Sequence, residues 1–334
     1  MINFNTNKIN IVIAGAGAFG TALANALCEN SKLSVRLLSI EKHVVDNINM
    51  DSKNEQYFPN IILSPKLKAT TNNSILEKAD FLFLAVPSSV LIPYINQLKQ
   101  YISNNTCIIN LAKGFGDNGV IISEYLSENF NNPIASMKGA SFAIEIIHRL
   151  PTGFTFASNN NSLFEKISEI TETTNIHLDF SEDIIGVELL SILKNIYAII
   201  LGVIDAHFDS NNTRFLVSTK AFNEMRKALK LFGGQEETIF RYCGFGDYNL
   251  TSLNDLSRNR TMGLFIGKGF IKDLVSDSIV LEGKRSLNIF YQKLKDENIV
   301  KYPENSFPIL FELYKLMNRE YDQRKFIYNI INKA

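Results

Sequence analysis

The run Ile9-Asn10-Ile11-Val12-Ile13-Ala14 passes directly into Gly15-Ala16-Gly17-Ala18-Phe19-Gly20, and Thr21-Ala22-Leu23-Ala24 comes next. A β-branched stretch, a Gly-x-Gly-x-x-Gly loop and a helix-forming run in that order constrain the chain to a strand–turn–helix unit. Gly15 serves the tight turn, Gly17 lets backbone approach a pyrophosphate, and Gly20 lets helix and strand pack closely. The helix start offers unpaired N–H groups and a positive dipole end to phosphate. The competing reading is a glycine-rich βα turn without a ligand. The order of elements favours a dinucleotide site.

The next stretches have the grain of a doubly wound sheet. Leu33–Leu38 reads as a second strand, and Glu41 lies about where this fold places its ribose-binding acid. Glu41 reads equally well as an exposed residue opening the next helix. A polar, Asn-rich loop runs on through Pro59 and Pro65. Residues 79–87 form an apolar strand stopped by Pro87, as a sheet covered on both faces requires. Ser88-Ser89 is expected to cap a helix to about Gln100. Cys107–Leu111 is the next strand, with Ala112-Lys113-Gly114 at its carboxyl end, where doubly wound sheets bind ligands. Further strands are expected at 133–137, 155–157 and 176–178, with a helix over 162–173.

The period changes near Asp183, and from there the chain reads as helical almost to its end. Residues 186–205 are apolar nearly all round, the mark of a buried helix. Glu188, Ser191, Lys194, Asn195, Ala198, Gly202 and Asp205 interrupt it as one narrow stripe. A buried lysine must find partners or a wet cavity, and an ion pair of Glu188 with Lys194 is the purely structural alternative. Beyond it, Gly244-Phe245-Gly246-Asp247 reads as a turn exposing a carboxylate. Ser257-Arg258-Asn259-Arg260 gathers donors for an oxyanion, or else forms a solvated loop.

Composition removes whole classes of function. The 334 residues carry 34 Lys+Arg against 34 Asp+Glu, so no basic field points to nucleic acid. Cys28, Cys107 and Cys243 have no disulfide or metal spacing and suit a reducing compartment, and His43, His148, His177 and His207 are not spaced as metal ligands. The apolar start mimics a signal peptide, but cleavage there would discard the glycine loop. The run 196–204 is too short to span a bilayer. The expectation is a cytoplasmic protein with no membrane span and no metal.

Together these pieces resemble the bacterial NAD(P)-dependent glycerol-3-phosphate dehydrogenases over nearly the whole chain. The carrying motifs are residues 15–24, Val86-Pro87-Ser88, Ala112-Lys113-Gly114, Phe142-Ala143 with Glu145, and Gly186-Val187-Glu188 with Lys194-Asn195. They continue with Asp205 and Asn212, Gly246-Asp247 with Thr251, residues 257–260, Glu282-Gly283, and Phe307-Pro308-Ile309 with Glu312 and Tyr314. The resemblance implies a Rossmann-type doubly wound α/β domain over 1–182 and an all-helical substrate-binding and catalytic domain over 183–334. It implies NAD or NADP as cofactor, met by Gly15, Gly17, Ala18, Phe19, Gly20, Lys113, Ala143, Arg258, Val280 and Glu282. Lys194 is implied as proton donor and acceptor, with Lys113 and Asp247 beside it. Lys113, Gly139, Ser141, Lys194, Asp247, Ser257, Arg258 and Asn259 would hold sn-glycerol 3-phosphate or dihydroxyacetone phosphate.

This chain departs from the family at Lys138-Gly139-Ala140, where a proline is lost and a cation gained at the expected substrate mouth. It departs again at Ala206-His207, and at Ile40, where the family often carries a cation near the ribose. With Glu41 alongside Ile40, NAD(H) is slightly favoured over NADP(H), unless Lys42 turns inward. The partners expected are small molecules, with a homodimer as the candidate assembly. Rival readings are a β-hydroxyacid dehydrogenase sharing the nucleotide domain and buried lysine, and a non-catalytic nicotinamide-sensing module.

Overall fold

A computed structural model describes residues 8–270, 282–296, 300–320 and 322–333. The chain divides into two compact units, one of residues up to 112 with 122–184, the other of 113–121 with residues from 185 onward. The short segment 113–121 therefore packs with the helical unit. A single boundary at 182/183 does not anticipate this.

The first unit is built on strands β1 (Ile9–Ala14), β2 (Leu33–Leu38), β3 (Lys68–Thr70), β4 (Phe81–Leu84), β5 (Cys107–Asn110), β6 (Ile134–Lys138), β7 (Thr152–Ser158) and β8 (Ile176–Ser181). They form one sheet in the order β3-β2-β1-β4-β5-β6-β7-β8. Every neighbouring pair is parallel except β6 with β7. The helices α1 (Ala18–Leu27), α2 (Lys42–Asp51), α3 (Ser88–Leu98), α4 (Ile122–Asn129), α5 (Ala143–Ile147) and α6 (Ser162–Thr171) complete it. Alternate strand residues feed two separate cores: Ile11 and Ile13 belong to one, Val12 and Ala14 to the other. That is why β1 is apolar at every position from Ile11 to Ala14, and β4 throughout.

The chain winds outward through β1, β2 and β3, then returns to place β4 beside β1. This reversal of strand order is the switch point where doubly wound sheets leave a crevice for ligands. One local expectation needs correction, and one strand goes beyond those expected. Pro87, not a serine, holds the N-cap position of α3, and Ser88 lies within its first turn. β3 follows the polar, Asn-rich loop in a stretch with no strand expected; three residues are too few to show a period.

The second unit contains α7 (Ile184–His207), α8 (Asn211–Leu231), α9 (Asp247–Leu253), α10 (Arg258–Gly267), α11 (Glu282–Asp296), α12 (Pro303–Ser306), α13 (Pro308–Met317) and α14 (Gln323–Asn332). At 24 residues α7 has the length and composition to cross a bilayer, so the shortness of residues 196–204 does not settle the matter. Burial does: 94% of its apolar window lies inside the fold, as in the core helix of a globular domain. α7 meets α10 backbone to backbone. A Cβ on Gly202 would lie 2.3 Å from the Arg260 carbonyl oxygen, and one on Gly263 2.0 Å from that of Ile199.

A buried carboxylate ties three helices of this unit together. Glu224 of α8 accepts from the backbone N–H of Ile309 (2.7 Å) and of Leu310 (3.2 Å) at the start of α13. It also accepts from the Tyr197 hydroxyl of α7 (2.8 Å). An acid here satisfies orphan N–H groups and complements the helix dipole.

Candidate functional site

In the first unit the site is made of backbone. Gly15 has φ +114°, a conformation glycine adopts without steric cost. A Cβ there would lie 2.5 Å from the Ala85 carbonyl oxygen just beyond β4, and one on Gly20 would lie 2.0 Å from the Gly15 oxygen. Gly17, the N-cap of α1, is different: its missing Cβ faces open space. Two glycines thus close the loop, and the third leaves room beside the helix N-terminus. This is the cradle a pyrophosphate needs, so the residues present fit a dinucleotide. Asn54 braces the loop from beneath, donating to the Ala16 carbonyl (2.9 Å) and the Thr21 hydroxyl (2.8 Å).

Ala18 and Phe19 occupy the first turn of α1, and Phe19 packs edge-on against Phe154 with centroids 6.1 Å apart. Ala143 opens α5. Gly139 follows β6, where a Cβ would come within 2.2 Å of the Gly153 carbonyl oxygen. Ser141 donates to the Gly139 carbonyl (2.9 Å). Ile40 is 86% exposed, and Glu41 sits at the N-cap of α2. Lys138 is not a cation at an open mouth. It is 0% exposed at the end of β6 and donates to the Asn110 carbonyl (2.7 Å).

In the second unit the site is made of side chains. Asp247, 1% exposed, receives two ammonium groups. Lys194 Nζ meets one carboxylate oxygen at 2.6 Å and Lys113 Nζ the other at 3.0 Å. Lys194 also donates to the Thr251 hydroxyl (2.8 Å). Asp247 therefore does not project from an open turn. The Gly-Phe-Gly stretch coils tightly over residues 242–246, and a Cβ on Gly244 would lie 2.2 Å from the Ile239 carbonyl oxygen. That close approach carries Asp247 inward as the first residue of α9, where two cations compensate its burial. The partner of Lys194 is thus Asp247 and not Glu188. Residues six apart on a helix point about 120° away from each other, whereas helical partners lie three or four apart.

Burial lowers Lys194 from the usual lysine value to about 7; the Asp247 charge opposes that shift and the Lys113 charge adds to it. Thr251, one helical turn beyond Asp247, and Asn195, beside Lys194, belong to motifs visible in the sequence, but nothing local in the sequence gives either a role. Asn195 donates to the Lys113 carbonyl (3.1 Å) and accepts from the Asn259 amide (3.0 Å). Asn259 in turn accepts from Gly283 N–H (3.2 Å). Its side chain is largely committed to neighbours.

Ser257 caps α10, accepting from Arg260 N–H (3.3 Å). The two arginines of this stretch part company. Arg260 is buried against Asp205, Asp255 (3.0 Å) and the Ser252 carbonyl (3.1 Å). Arg258 is exposed and engages no described residue through a hydrogen bond or ion pair. Glu282 opens α11, and Val280 lies outside the described residues. Gly139, Ser141, Ala143 and the glycine loop thus belong to the first unit. Lys113, Lys194, Asp247, Ser257, Arg258, Asn259 and Glu282 belong to the second. Among the described residues no His, Cys, Asp or Glu cluster could hold a metal.

Residues 10–164 match the family described as NAD-dependent glycerol-3-phosphate dehydrogenase N-terminus, and residues 183–328 match its C-terminus. The chain belongs to the NAD-dependent glycerol-3-phosphate dehydrogenase family. It is similar to the glycerol-3-phosphate dehydrogenase [NAD(P)+] of Clostridium botulinum, with 33% identity over 95% of both chains. The enzyme of that name from Methanothermobacter thermautotrophicus is 36% identical over 83% of this chain and 86% of its own. The crystal structure of glycerol-3-phosphate dehydrogenase from Coxiella burnetii superposes with a TM-score of 0.88 at 29% identity, covering 98% of this chain and 99% of that one.

Proposed function

We propose that this chain interconverts dihydroxyacetone phosphate and sn-glycerol 3-phosphate, a reaction that feeds glycerophospholipid synthesis. One observation carries the reading: a family member's buried Asp247 holds two lysines, one drawn down to about 7. A nicotinamide dinucleotide, when bound, supplies or takes the hydride. In the reductive direction the Lys194 ammonium gives a proton to the substrate carbonyl oxygen, and in oxidation the neutral amine takes it back. A group with both forms populated near neutrality serves both directions. Asp247 and Thr251 orient the amine, and Lys113, sharing Asp247, adds positive charge beside it.

The substrate phosphate is assigned to the N-terminus of α10, where the dipole and Arg258 both favour an anion. Ser257 and the remaining amide proton of Asn259 add neutral donors there. Gly139 and Ser141 are the first unit's share of the substrate contacts. Gly15, Gly17, Ala18, Phe19 and Gly20 are assigned to the pyrophosphate; Ala143, Lys113, Arg258 and Glu282 complete the cofactor set. Exposed Ile40 beside Glu41 supports NADH serving at least as well as NADPH. A β-hydroxyacid dehydrogenase or a non-catalytic sensor is not favoured, since relatives more than 30% identical over most of the chain bear the glycerol-3-phosphate dehydrogenase name. A cytoplasmic location suits the three free, buried cysteines. A homodimer is supported by the exposed Phe240 and Phe245, which both touch the Phe222 ring, and is tested by light scattering.

The deciding assay follows NADH and NADPH oxidation with dihydroxyacetone phosphate and with dihydroxyacetone. Arg258→Lys keeps charge but loses the guanidinium fork, so kcat/KM on the phosphorylated substrate should fall by about 10- to 10³-fold. The poor turnover of dihydroxyacetone should hardly change. Equal losses on both would remove Arg258 from the phosphate site.

A further inference from the structure

The segment Lys113–Ile121 is held to the helical unit by α11. Arg285 donates through one terminal nitrogen to the Phe115 carbonyl and through the other to the Gly116 carbonyl (2.8 Å). Asp117, with a carboxylate oxygen 3.8 Å from Arg285, balances the charge. Five residues further along α11, Phe290 stacks on Phe115 with centroids 6.5 Å apart and planes 18° apart. Gly119 comes next with φ +75°, and a Cβ there would lie 2.7 Å from Ile289. Upstream, Lys113 is held through its carbonyl by Asn195 (3.1 Å).

A planar fork bonded to two successive carbonyls fixes the orientation of two peptide planes, which a single ammonium cannot do. Those planes lie two and three residues beyond Lys113, whose Nζ must reach Asp247 at 3.0 Å. We propose that Arg285 is a positioning residue, which places Lys113 against Asp247 by gripping the Phe115 and Gly116 carbonyls. Arg285 touches neither Asp247 nor Lys194 and acts only through the segment it holds.

The consequence is electrostatic. Among the described residues, Asp247 and Lys113 are the charged groups acting on Lys194. While Lys113 claims one oxygen of Asp247, Lys194 shares its counter-ion and feels a like charge. Releasing Lys113 gives Asp247 to Lys194 alone and favours the ammonium. Arg285 thereby helps keep Lys194 able to lose its proton near neutrality. The kinetic arm of this proposal rests on the assignment of Lys194 as proton donor and acceptor; the titration arm does not.

The test titrates the lysine side chains of the isotopically labelled full-length apoprotein by NMR, with Lys194→Met identifying the Lys194 signal. Arg285→Met should raise the Lys194 midpoint by about one pH unit, within the range a neighbouring charge commands. Arg285→Lys should give a smaller rise and serves in its place if the Met variant does not fold. Lys113→Met should produce the same rise, and adding Arg285→Met to it should shift the midpoint no further. In turnover, Arg285→Met should lower kcat by about 10- to 100-fold and move the pH dependence of glycerol 3-phosphate oxidation alkaline, leaving NADH affinity unchanged. A variant that melts earlier but leaves the Lys194 midpoint in place would make Arg285 a structural strut and overturn the proposal. If the wild type were inactive on dihydroxyacetone phosphate, the proposed reaction would fall while the titration still decided the role of Arg285.

Discussion

Helix α7 carries two side chains, three residues apart, that each meet a buried carboxylate, and the two acids are treated in opposite ways. Asp247 sits between the ammonium groups of Lys194 and Lys113. Glu224 accepts bonds from the Tyr197 hydroxyl and two backbone N–H groups, and among the described residues it forms no ion pair, Lys227 acting on it only from a distance. Burial pushes Glu224 up to about 7, although Ile309 N–H, the Tyr197 hydroxyl and Leu310 N–H all pull it back. On the other side, burial brings Lys194 down to about 7. One helix thus carries a base that readily loses its proton and, one turn on, grips an acid of α8 that readily gains one. The first arrangement suits proton transfer; the second fastens helices. What separates them is whether cations or neutral donors meet the acid.

The largest expected effect sharpens that division. Lys194→Met should lower kcat by about 10²- to 10⁴-fold with cofactor binding little changed, since it removes the proton donor but keeps the length and apolar packing. Glu224→Gln should leave kcat within a few-fold of wild type. Comparable losses in steady-state assays of the two variants would break the comparison. Next comes the direction of the pH dependence. Oxidation of glycerol 3-phosphate needs neutral Lys194, so its kcat should rise about tenfold per pH unit below about 7 and then level. Reduction should fall with the opposite slope above about 7. Profiles without opposite limbs would take Lys194 out of the proton path.

Stability should depend on the two groups with opposite signs. The folded-state value of Glu224 lies above its ordinary 4.5, so its contribution is full below about 4.5 and is lost as pH rises through about 7. The folded-state value of Lys194 lies below its ordinary 10.5, so its contribution is present above about 10.5 and is lost as pH falls through about 7. Each slope reaches at most about 1.4 kcal/mol per pH unit. The difference in Tm between wild type and Glu224→Gln should therefore vary with pH only below about 7. The difference between wild type and Lys194→Met should vary only above it. The smallest effect is that of Tyr197→Phe, which deletes one bond to Glu224 and should cost about 0.5–1.5 kcal/mol with kcat unchanged. A change in kcat there would mean the two centres are coupled through α7.

Which parts could be foreseen depends on how far apart the cooperating residues lie. The glycine loop is legible because Gly15, Gly17 and Gly20 solve one local backbone problem within six residues. Strands β1, β4 and β5 are legible because burial on both faces leaves apolar runs, and β2 because Leu33, Val35 and Leu37 alternate with half-buried Ser34 and Arg36. Lys194 stands out because a lysine in an otherwise apolar helix is costly. Its partner does not, since Asp247 arrives from 53 residues away on another helix. Arg258 and Arg260 are alike as letters, and only packing against Asp205 and Asp255 separates the buried one from the exposed one. The hold of Arg285 on residues 115 and 116 spans about 170 positions and leaves no local period at all.

That last separation bears on how the protein is made. Residues 113–121 interrupt the sheet-forming sequence, yet the side chains that receive Phe115 and Gly119 belong to α11. On the ribosome, β6 to β8 emerge and can join the sheet while this segment waits for a partner about 170 residues downstream. At about 5–20 residues per second that wait lasts on the order of 9–34 s. Throughout it Phe115 lacks its stacking partner, so a nascent chain stalled before α11 should be markedly more open to protease between residues 113 and 121 than the released protein.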